Sequence, residues 1–192
     1  MNIHRIIAET KSEGPGNRVA IWVQGCSIQC YGCMAKDTWD TKARQFMTPD
    51  DILSILDSCT NIEGVTILGG EPFDQAHELA ILTQRIKKRN LSLIILTGYV
   101  YEHLLSVSDC DVKTVLDNVD VLIDGPYVES LRSFNRPLVG SDNQRFLFLT
   151  DKYKMSDFGK NTIEVRIDKD GIAQYNGMGD FVKIKRKTGV QV

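Results

Sequence analysis

The stretch GCSIQCYGC, residues 25–33, is the part of this chain from which the fold and the chemistry follow. It places Cys26, Cys30 and Cys33 at the spacing CxxxCxxC. A four-iron cluster usually takes four thiolates, so three thiolates with no fourth nearby leave one iron open to another ligand. Zinc motifs favour CxxC pairs followed by a second pair, and the other two of the five cysteines are isolated. The spacing therefore favours an iron–sulfur cluster over zinc.

Short apolar runs alternate with helical patterns on either side of this loop. The runs predict strands at residues 19–24, 65–68, 91–96 and 119–123. Thr48 followed by Pro49 and Asp51 predicts a helix start with a capping box, and Asp74 is expected to cap the next helix. Short helical stretches follow between residues 101 and 116. Strands separated by helices indicate βαβ units and a parallel sheet.

Each chemically interesting segment directly follows one of the predicted strands. In parallel α/β folds the working face is the edge formed by the carboxyl ends of the strands, so we expect these segments to converge there. About four such units are too few to close an eight-stranded barrel. The prediction is an α/β fold with a partial, open (β/α) barrel of mostly parallel strands. Residues 162–167 and 172–175, joined by DKDG, predict a C-terminal β-hairpin.

Five segments taken in order resemble the radical S-adenosylmethionine enzymes, and within them the activating proteins of anaerobic ribonucleotide reductase. They are GPGNRVAIWVQGC with the cysteine loop (residues 14–33), DTWD (37–40), LGGEPFDQ (68–75), TGY (97–99) and GSDNQR (140–145). The resemblance covers about residues 1–150. It implies an oxidoreductase with a [4Fe–4S] cluster on Cys26, Cys30 and Cys33, whose open iron binds S-adenosylmethionine.

The resemblance also implies a reaction and its partners. Reductive cleavage of S-adenosylmethionine would give a 5′-deoxyadenosyl radical that abstracts a glycine α-hydrogen from a glycyl-radical enzyme, the anaerobic ribonucleotide reductase large subunit. A flavodoxin or ferredoxin would supply the electron. The cofactors carry the chemistry, and the protein binds, orients and excludes water.

Candidate cofactor-binding residues follow the strands. Gly69 and Gly70 permit close approach of a ligand, and Glu71 beside Pro72 offers acceptors for the methionine ammonium, although a tight strand-to-helix turn gives the same pattern. Tyr31 resembles the aromatic residue that packs near the adenine, with simple loop packing as the alternative. Two strand-end residues, Thr97 and Asp124, are candidates for ribose, carboxylate or cation contacts, or for capping alone.

Weaker expectations concern residues outside these segments. Residues 140–145 are assigned to cofactor or partner contacts, and Arg18 to the same or, by default, to a surface salt bridge. The isolated Cys59 and Cys110 are expected to be buried small apolar residues. Trp22 is expected in the core, and Trp39 either in the core or on the substrate face.

Composition restricts the remaining classes. The 192 residues predict a single domain, with a core over about residues 1–150 and an extension over 151–192. A net charge of −2 gives no reason to expect nucleic-acid binding, and the basic cluster at residues 183–187 is expected to be a solvated tail. No apolar run approaches the ~20 residues of a membrane helix, and no signal-peptide pattern is present. The odd cysteine number fits a reducing cytoplasm.

Two departures from the family pattern leave other functions open. Met34 and Ala35 stand where His-Asn usually follows the third cysteine, and GSDNQR stands where GSSNQR is usual. Together with the hairpin they admit a related radical enzyme that modifies a different protein or peptide. A non-catalytic iron–sulfur electron-transfer protein is a third hypothesis. The GGEP segment argues against it, since electron transfer alone needs no cofactor cradle.

Overall fold

The fold is known from a computed structural model that describes residues 1–42, 45–167 and 169–179. Within these residues, strands and helices alternate through the first two thirds of the chain. The elements are β1 Asn2–Thr10, β2 Arg18–Val23, β3 Gln45–Phe46, α1 Pro49–Ser58, β4 Gly64–Gly69, α2 Ala76–Lys87, β5 Ser92–Leu96, α3 Tyr101–Ser106, α4 Cys110–Asn118, β6 Val121–Asp124, β7 Arg145–Phe148, β8 Ile163–Ile167 and β9 Ala173–Gly177.

Seven strands form one sheet in the order β3-β1-β2-β4-β5-β6-β7. The central strands β2, β4, β5 and β6 run parallel, as the alternating pattern predicts, whereas β1, β3 and β7 pair antiparallel at the two sides. Among the described strands the order ends at β3 and β7, so these strands form an open sheet and do not close into a barrel. The fold is therefore mixed α/β with a mostly parallel centre.

Each face of the sheet is covered by a different part of the chain. Alternate strand residues such as Ile21, Ile67 and Leu93 belong to the larger apolar cluster, which includes the inward faces of α1, α2 and α4. The intervening residues, among them Ile94 and Ile123, pack against segments that follow β6. This alternation follows from the two-residue period of a strand, which sends successive side chains to opposite faces.

The first predicted helix begins where its capping residues require. Thr48 Oγ1 accepts a hydrogen bond from the Asp51 backbone N–H at 3.2 Å, and the Asp51 carboxylate accepts from the Thr48 N–H at 2.8 Å. Pro49 occupies the first turn. The capping box is therefore confirmed, and α1 returns the chain to the start of β4.

The predicted C-terminal hairpin is present as a separate two-stranded sheet of β8 and β9. It is attached to the end of β1 and the segment after it. Thr10 Oγ1 donates to Glu164 Oε2 at 2.6 Å, and the Gly177 N–H donates to Glu13 Oε1 at 2.6 Å. Asp168, in the predicted connection, and the basic residues 183–187 lie outside the described residues.

Two expectations about single residues are wrong. Arg18 is fully buried and does not form a surface salt bridge, because its guanidinium donates to Thr66 Oγ1 at 2.8 Å, to Ser92 Oγ at 3.0 Å and to the Val65 carbonyl at 2.8 Å. Cys110 is exposed rather than buried, since it opens α4 on the outer surface, and Cys59 is only partly buried. Trp22 is buried as expected, with 7% of its surface exposed.

No helix in the described part of the chain has both the length and the apolar character that crossing a membrane requires.

Candidate functional site

A cavity of about 540 Å³ lies at the carboxyl ends of the parallel strands. The segments that follow β2, β4, β5 and β6 all contribute to its lining, so the predicted convergence is observed. The residues it draws from those segments include Cys26, Cys30, Cys33, Gly69, Gly70, Glu71, Thr97, Gly98, Gly125 and Tyr127. Gly140 and Gln144, from the GSDNQR segment, line it as well.

The cysteine loop turns back on itself directly after β2. Three of its residues have positive φ: Gly25 at 101°, Gln29 at 49° and Gly32 at 79°. The Cys33 N–H donates to the Cys30 carbonyl at 3.1 Å, closing a tight turn between these ligand candidates. The Ala35 N–H donates to Cys33 Sγ at 3.4 Å, a contact that also suits a thiolate. The glycines thus let a short loop direct all three thiols to one cavity.

Burial favours the protonated form of two of the thiols, Cys26 and Cys30, until a metal binds. Burial raises the pKa of Cys26, and the backbone N–H groups of Gln29 and Ile28 oppose this only in part. Burial likewise raises the pKa of Cys30, against a hydrogen bond from the Tyr127 backbone. Because metals bind the thiolate, cluster assembly must displace these protons, and assembly is expected to proceed more readily at higher pH.

The spacing of the three thiols fits a cluster better than one zinc ion. A tetrahedral site with Zn–S bonds of about 2.3 Å holds its sulfurs about 3.8 Å apart. Among the described residues, the one trio of candidate ligands whose atoms all lie within 4.8 Å of one another is Asp109, Cys110 and Asp111, at the exposed start of α4. The three loop cysteines share a cavity without coming that close, which suits a group larger than a single ion.

The glycine pair after β4 is required by the cysteine loop itself. The Gly70 N–H donates to the Val23 carbonyl at 2.9 Å, and the Glu71 N–H donates to the Gly25 carbonyl at 2.8 Å. A Cβ on Gly70 would lie 2.1 Å from the Gly25 oxygen, and one on Gly69 would lie 2.9 Å from Trp22 Cα. The loops are therefore packed backbone against backbone, which explains the glycines without a ligand between them.

Glu71 joins the loops that follow β4 and β5. Its side chain is 1% exposed and accepts hydrogen bonds from the Phe73 N–H at 3.0 Å, Thr97 Oγ1 at 2.7 Å and the Gly98 N–H at 2.8 Å. Burial raises the pKa of Glu71 to about 7, although these three donors oppose the shift. Pro72 follows at the start of a short 3₁₀ helix, Pro72–Gln75. Glu71 and Thr97 thus form one buried hydrogen-bonded unit beside the cavity.

Asp74 has a different role from the predicted one. Helix α2 begins at Ala76 without a side-chain cap, so the expectation that Asp74 caps it is wrong. The Asp74 carboxylate instead accepts from the Ser27 N–H at 2.7 Å and from Ser27 Oγ at 2.8 Å, inside the cysteine loop. Tyr99 OH also donates to it at 3.2 Å. The sequence carried no sign of this three-way contact beyond the presence of each residue after a strand.

Three of the predicted cofactor residues, Tyr31, Pro72 and Asp124, lie outside the lining of the cavity. The buried Asp124 carboxylate accepts from Arg145 Nε at 2.9 Å and from the Tyr101 N–H at 2.7 Å, and its neighbour Gly125 faces the cavity instead. Tyr31 is 85% exposed on the outside of the cysteine loop. Trp39, by contrast, does line the cavity.

Comparison with known proteins identifies the family. Residues 12–147 match the family model described as a 4Fe-4S single cluster domain. The anaerobic ribonucleoside-triphosphate reductase-activating protein of Enterobacteria phage T4 is 32% identical over 157 residues, which cover 79% of this chain and 96% of that protein. The protein of the same name from Escherichia coli K12 is 30% identical over 152 residues, which cover 75% of this chain and 96% of that protein.

A solved structure, that of QueE from Escherichia coli, overlaps half of the chain with a TM-score of 0.43 and 24% identity, covering 50% of this chain and 52% of QueE. The matches with the activating proteins cover more of this chain than the overlap with QueE does, and nearly the whole length of those proteins. The chain belongs to the family of anaerobic ribonucleoside-triphosphate reductase-activating proteins, built on a 4Fe-4S single cluster domain.

Proposed function

We propose that this chain activates an anaerobic ribonucleoside-triphosphate reductase by placing a radical on a glycine of that enzyme. The observation that carries the proposal is the match along 96% of the phage T4 activating protein, together with three cysteines that line a single cavity. A flavodoxin or ferredoxin is proposed as the electron donor.

The family implies a [4Fe–4S] cluster and S-adenosylmethionine as cofactors. Cys26, Cys30 and Cys33 are the proposed ligands, because they are the cysteines that line the cavity. When bound, the two groups would supply the one-electron cleavage of a C–S bond of S-adenosylmethionine, and thereby the radical chemistry needed to remove a glycine α-hydrogen.

Glu71 is proposed to orient the methionine end of the cofactor. A carboxylate offers about four lone-pair sites, and Phe73, Thr97 and Gly98 already occupy three of them. The remaining site, at the wall of the cavity, suits the methionine ammonium. The bonds from Thr97 and Gly98 fix the orientation of this carboxylate before the cofactor arrives, and such preorganisation lowers the cost of binding.

Asp124 and Asp74 are proposed to support the site indirectly. The Asp124–Arg145 pair fixes the loop that presents Gly125 to the cavity. The Asp74 contacts with Ser27 and Tyr99 hold the cysteine loop against the segments after β4 and β5. We further propose that the open sheet acts as a partial barrel whose unclosed side admits the glycine-bearing loop of the reductase.

The test is radical formation on the reductase. The chain is reconstituted anaerobically with iron and sulfide, reduced with dithionite and mixed with S-adenosylmethionine and an anaerobic reductase from the same organism. We expect 5′-deoxyadenosine by chromatography and a glycyl doublet by electron paramagnetic resonance, both absent for Cys30→Ala. Deoxyadenosine without the doublet would point to another protein substrate, and a full cluster without deoxyadenosine would favour electron transfer alone.

A further inference from the structure

One wall of the cavity carries buried polar atoms that have no hydrogen-bond partner in the described part of the chain. These atoms are Arg5 Nε, Trp39 Nε1 and Asn176 Oδ1, and all three residues line the cavity. We call these three side chains the polar wall. Buried polar atoms are rarely left without partners, and each such atom needs an explanation. Three of them around one cavity indicate that a ligand supplies the missing partners.

The orientation of Asn176 is fixed by its neighbours. The side chain is 2% exposed, and its Nδ2 donates to Thr10 Oγ1 at 2.9 Å and to Glu13 Oε1 at 3.4 Å. Thr10 has one hydroxyl proton, which it donates to Glu164 Oε2 at 2.6 Å, so it must accept from the amide. The amide cannot be flipped without losing these bonds. Asn176 therefore presents a fixed acceptor, Oδ1, at the cavity.

Arg5 and Trp39 contribute donors to the lining of the cavity. The Arg5 guanidinium lies 4.0 Å from the centre of the Trp22 ring, and its Nη1 donates to the Tyr175 carbonyl at 3.0 Å. The Trp39 carbonyl accepts from the Cys26 N–H at 3.3 Å, which places the backbone of Trp39 next to the cysteine loop. The polar wall thus offers two N–H donors and one carbonyl acceptor beside the proposed cluster ligands.

Two of the three side chains of the polar wall, Arg5 and Asn176, lie apart from Glu71. In the sheet, β1 lies on the opposite side of β2 from β4, and Glu71 follows β4. Arg5 and Asn176 also lie outside residues 12–147, the part matched by the cluster-domain family. A wall with two of its three side chains outside the matched domain, on β1 and on the hairpin attached to it, is suited to a ligand other than the shared cofactor.

We propose that the polar wall binds the backbone of an extended peptide segment, which brings its glycine to the cavity. Every peptide unit carries one N–H and one carbonyl, so two donors and one acceptor fit its carbonyls and an N–H. This inference rests on the proposed function, which makes the segment the glycine-bearing loop of the reductase. The β8–β9 hairpin, which supplies Asn176 and supports Arg5, is then a substrate-binding addition to the cluster domain.

The test measures peptide binding separately from radical transfer. The probe is a short fluorescein-labelled peptide centred on the radical-site glycine of the reductase, titrated anaerobically with the reconstituted chain and followed by anisotropy. Trp39→Phe removes one donor and keeps an aromatic ring, and Asn176→Ala removes the acceptor. Each is expected to weaken binding about fivefold, the factor for one lost neutral hydrogen bond. Asn118→Ala is the control, since that amide bonds the Thr114 carbonyl on α4.

A second measurement, 5′-deoxyadenosine formed without reductase, should be equal for all variants and the parent chain. The proposal is overturned if the parent chain does not bind the peptide, if Trp39→Phe binds it as well as the parent, or if both variants lose reductase-free cleavage, which would assign the wall to S-adenosylmethionine. If Asn176→Ala does not fold, the result for Trp39→Phe alone decides the test. Peptide binding that the variants weaken, with no radical on the reductase, would uphold the wall and refute the proposed function.

Discussion

Replacing Gly70 by alanine should separate the two loops that meet at the cavity. The added Cβ would lie 2.1 Å from the Gly25 carbonyl oxygen and 3.2 Å from that of Thr38, and neither backbone atom can rotate away. Since a Cβ essentially never lies closer than 3.0 Å to another heavy atom, the segment that carries Gly69 and Gly70 must move by about 0.9 Å. That shift strains the Gly70–Val23 and Glu71–Gly25 hydrogen bonds, which now measure 2.9 and 2.8 Å.

The magnitude follows from these contacts. Overpacking costs about 1–3 kcal/mol, and each weakened hydrogen bond about 0.5–1.5 kcal/mol, so we expect a loss of about 3 kcal/mol. In a chain of this size that loss lowers Tm by roughly 6–12 °C. Because Glu71 moves with the loop, the KM for S-adenosylmethionine should also rise, while the iron content stays the same.

The assays are thermal unfolding by circular dichroism, iron analysis and initial rates of deoxyadenosine formation. Gly159→Ala is the matched control, because a Cβ there meets nothing within 4 Å. Equal Tm and equal KM for Gly70→Ala and Gly159→Ala would refute the close packing of the two loops. Loss of iron in Gly70→Ala alone would show that the Gly69–Gly70 pair also positions the cysteine ligands.

Three further predictions test single side chains. Burial raises the pKa of Glu13 to about 7 from 4.5, so the folded state holds the proton more tightly and stability falls as pH rises through this range. Glu13→Gln keeps the accepting oxygen and should remove up to about 3 kcal/mol of this loss of unfolding free energy. Urea unfolding at about pH 5 and about pH 8 measures the loss. The same pH dependence of stability in the variant and the parent chain would contradict the prediction. Arg145→Ala leaves the buried Asp124 carboxylate without its cation and should lower the free energy of unfolding by about 3 kcal/mol. Glu102→Ala removes an exposed partner of Arg145 and should lower it by less than about 1 kcal/mol. Equal losses for the two variants in urea unfolding would argue against a buried pair. Tyr31→Ala should leave Tm within about 2 °C because the ring is 85% exposed, and a raised KM for S-adenosylmethionine would show that it contacts the cofactor after all.

Local signals in the sequence were sufficient for the central part of the fold. The four parallel strands and the capping box at Thr48 were predicted because apolar runs and capping residues act within a few positions of one another. Strand β1, Asn2–Thr10, was not predicted, since its antiparallel pairing with β2 depends on contacts with a later segment. Its polar positions, among them His4 and Arg5, interrupted the apolar pattern.

Long-range pairs account for most of the errors. An isolated arginine at the start of a strand looks like a surface residue, and nothing local to Arg18 shows that Ser92 and Tyr153 will meet its guanidinium in the interior. Similarly, the position of Asp124 at the end of a strand predicts a ligand contact or a cap, and it does not show that Arg145 will pair with this carboxylate. Buried ions need partners, but the sequence does not say which residues they are.

The candidate site was predictable where the spacing of residues carries the chemistry. The cysteine loop and the Gly69–Gly70 pair needed only their own residues and a preceding strand, and both line the cavity. The polar wall was not predictable, because Arg5 and Asn176 lie 171 positions apart in the sequence and reach one cavity only through the attachment of the hairpin to β1. Substrate contacts of this kind depend on tertiary structure.

The most direct test of the account is the iron content of the reconstituted chain together with the 5′-deoxyadenosine it forms from S-adenosylmethionine under dithionite. Cys26→Ala, Cys30→Ala and Cys33→Ala should each lose the cluster and the product. The double variant Cys59→Ser/Cys110→Ser should match the parent chain in both measurements, since neither residue lines the cavity. A full cluster in any of the three alanine variants, or an empty site in the double variant, would contradict the proposed ligand set.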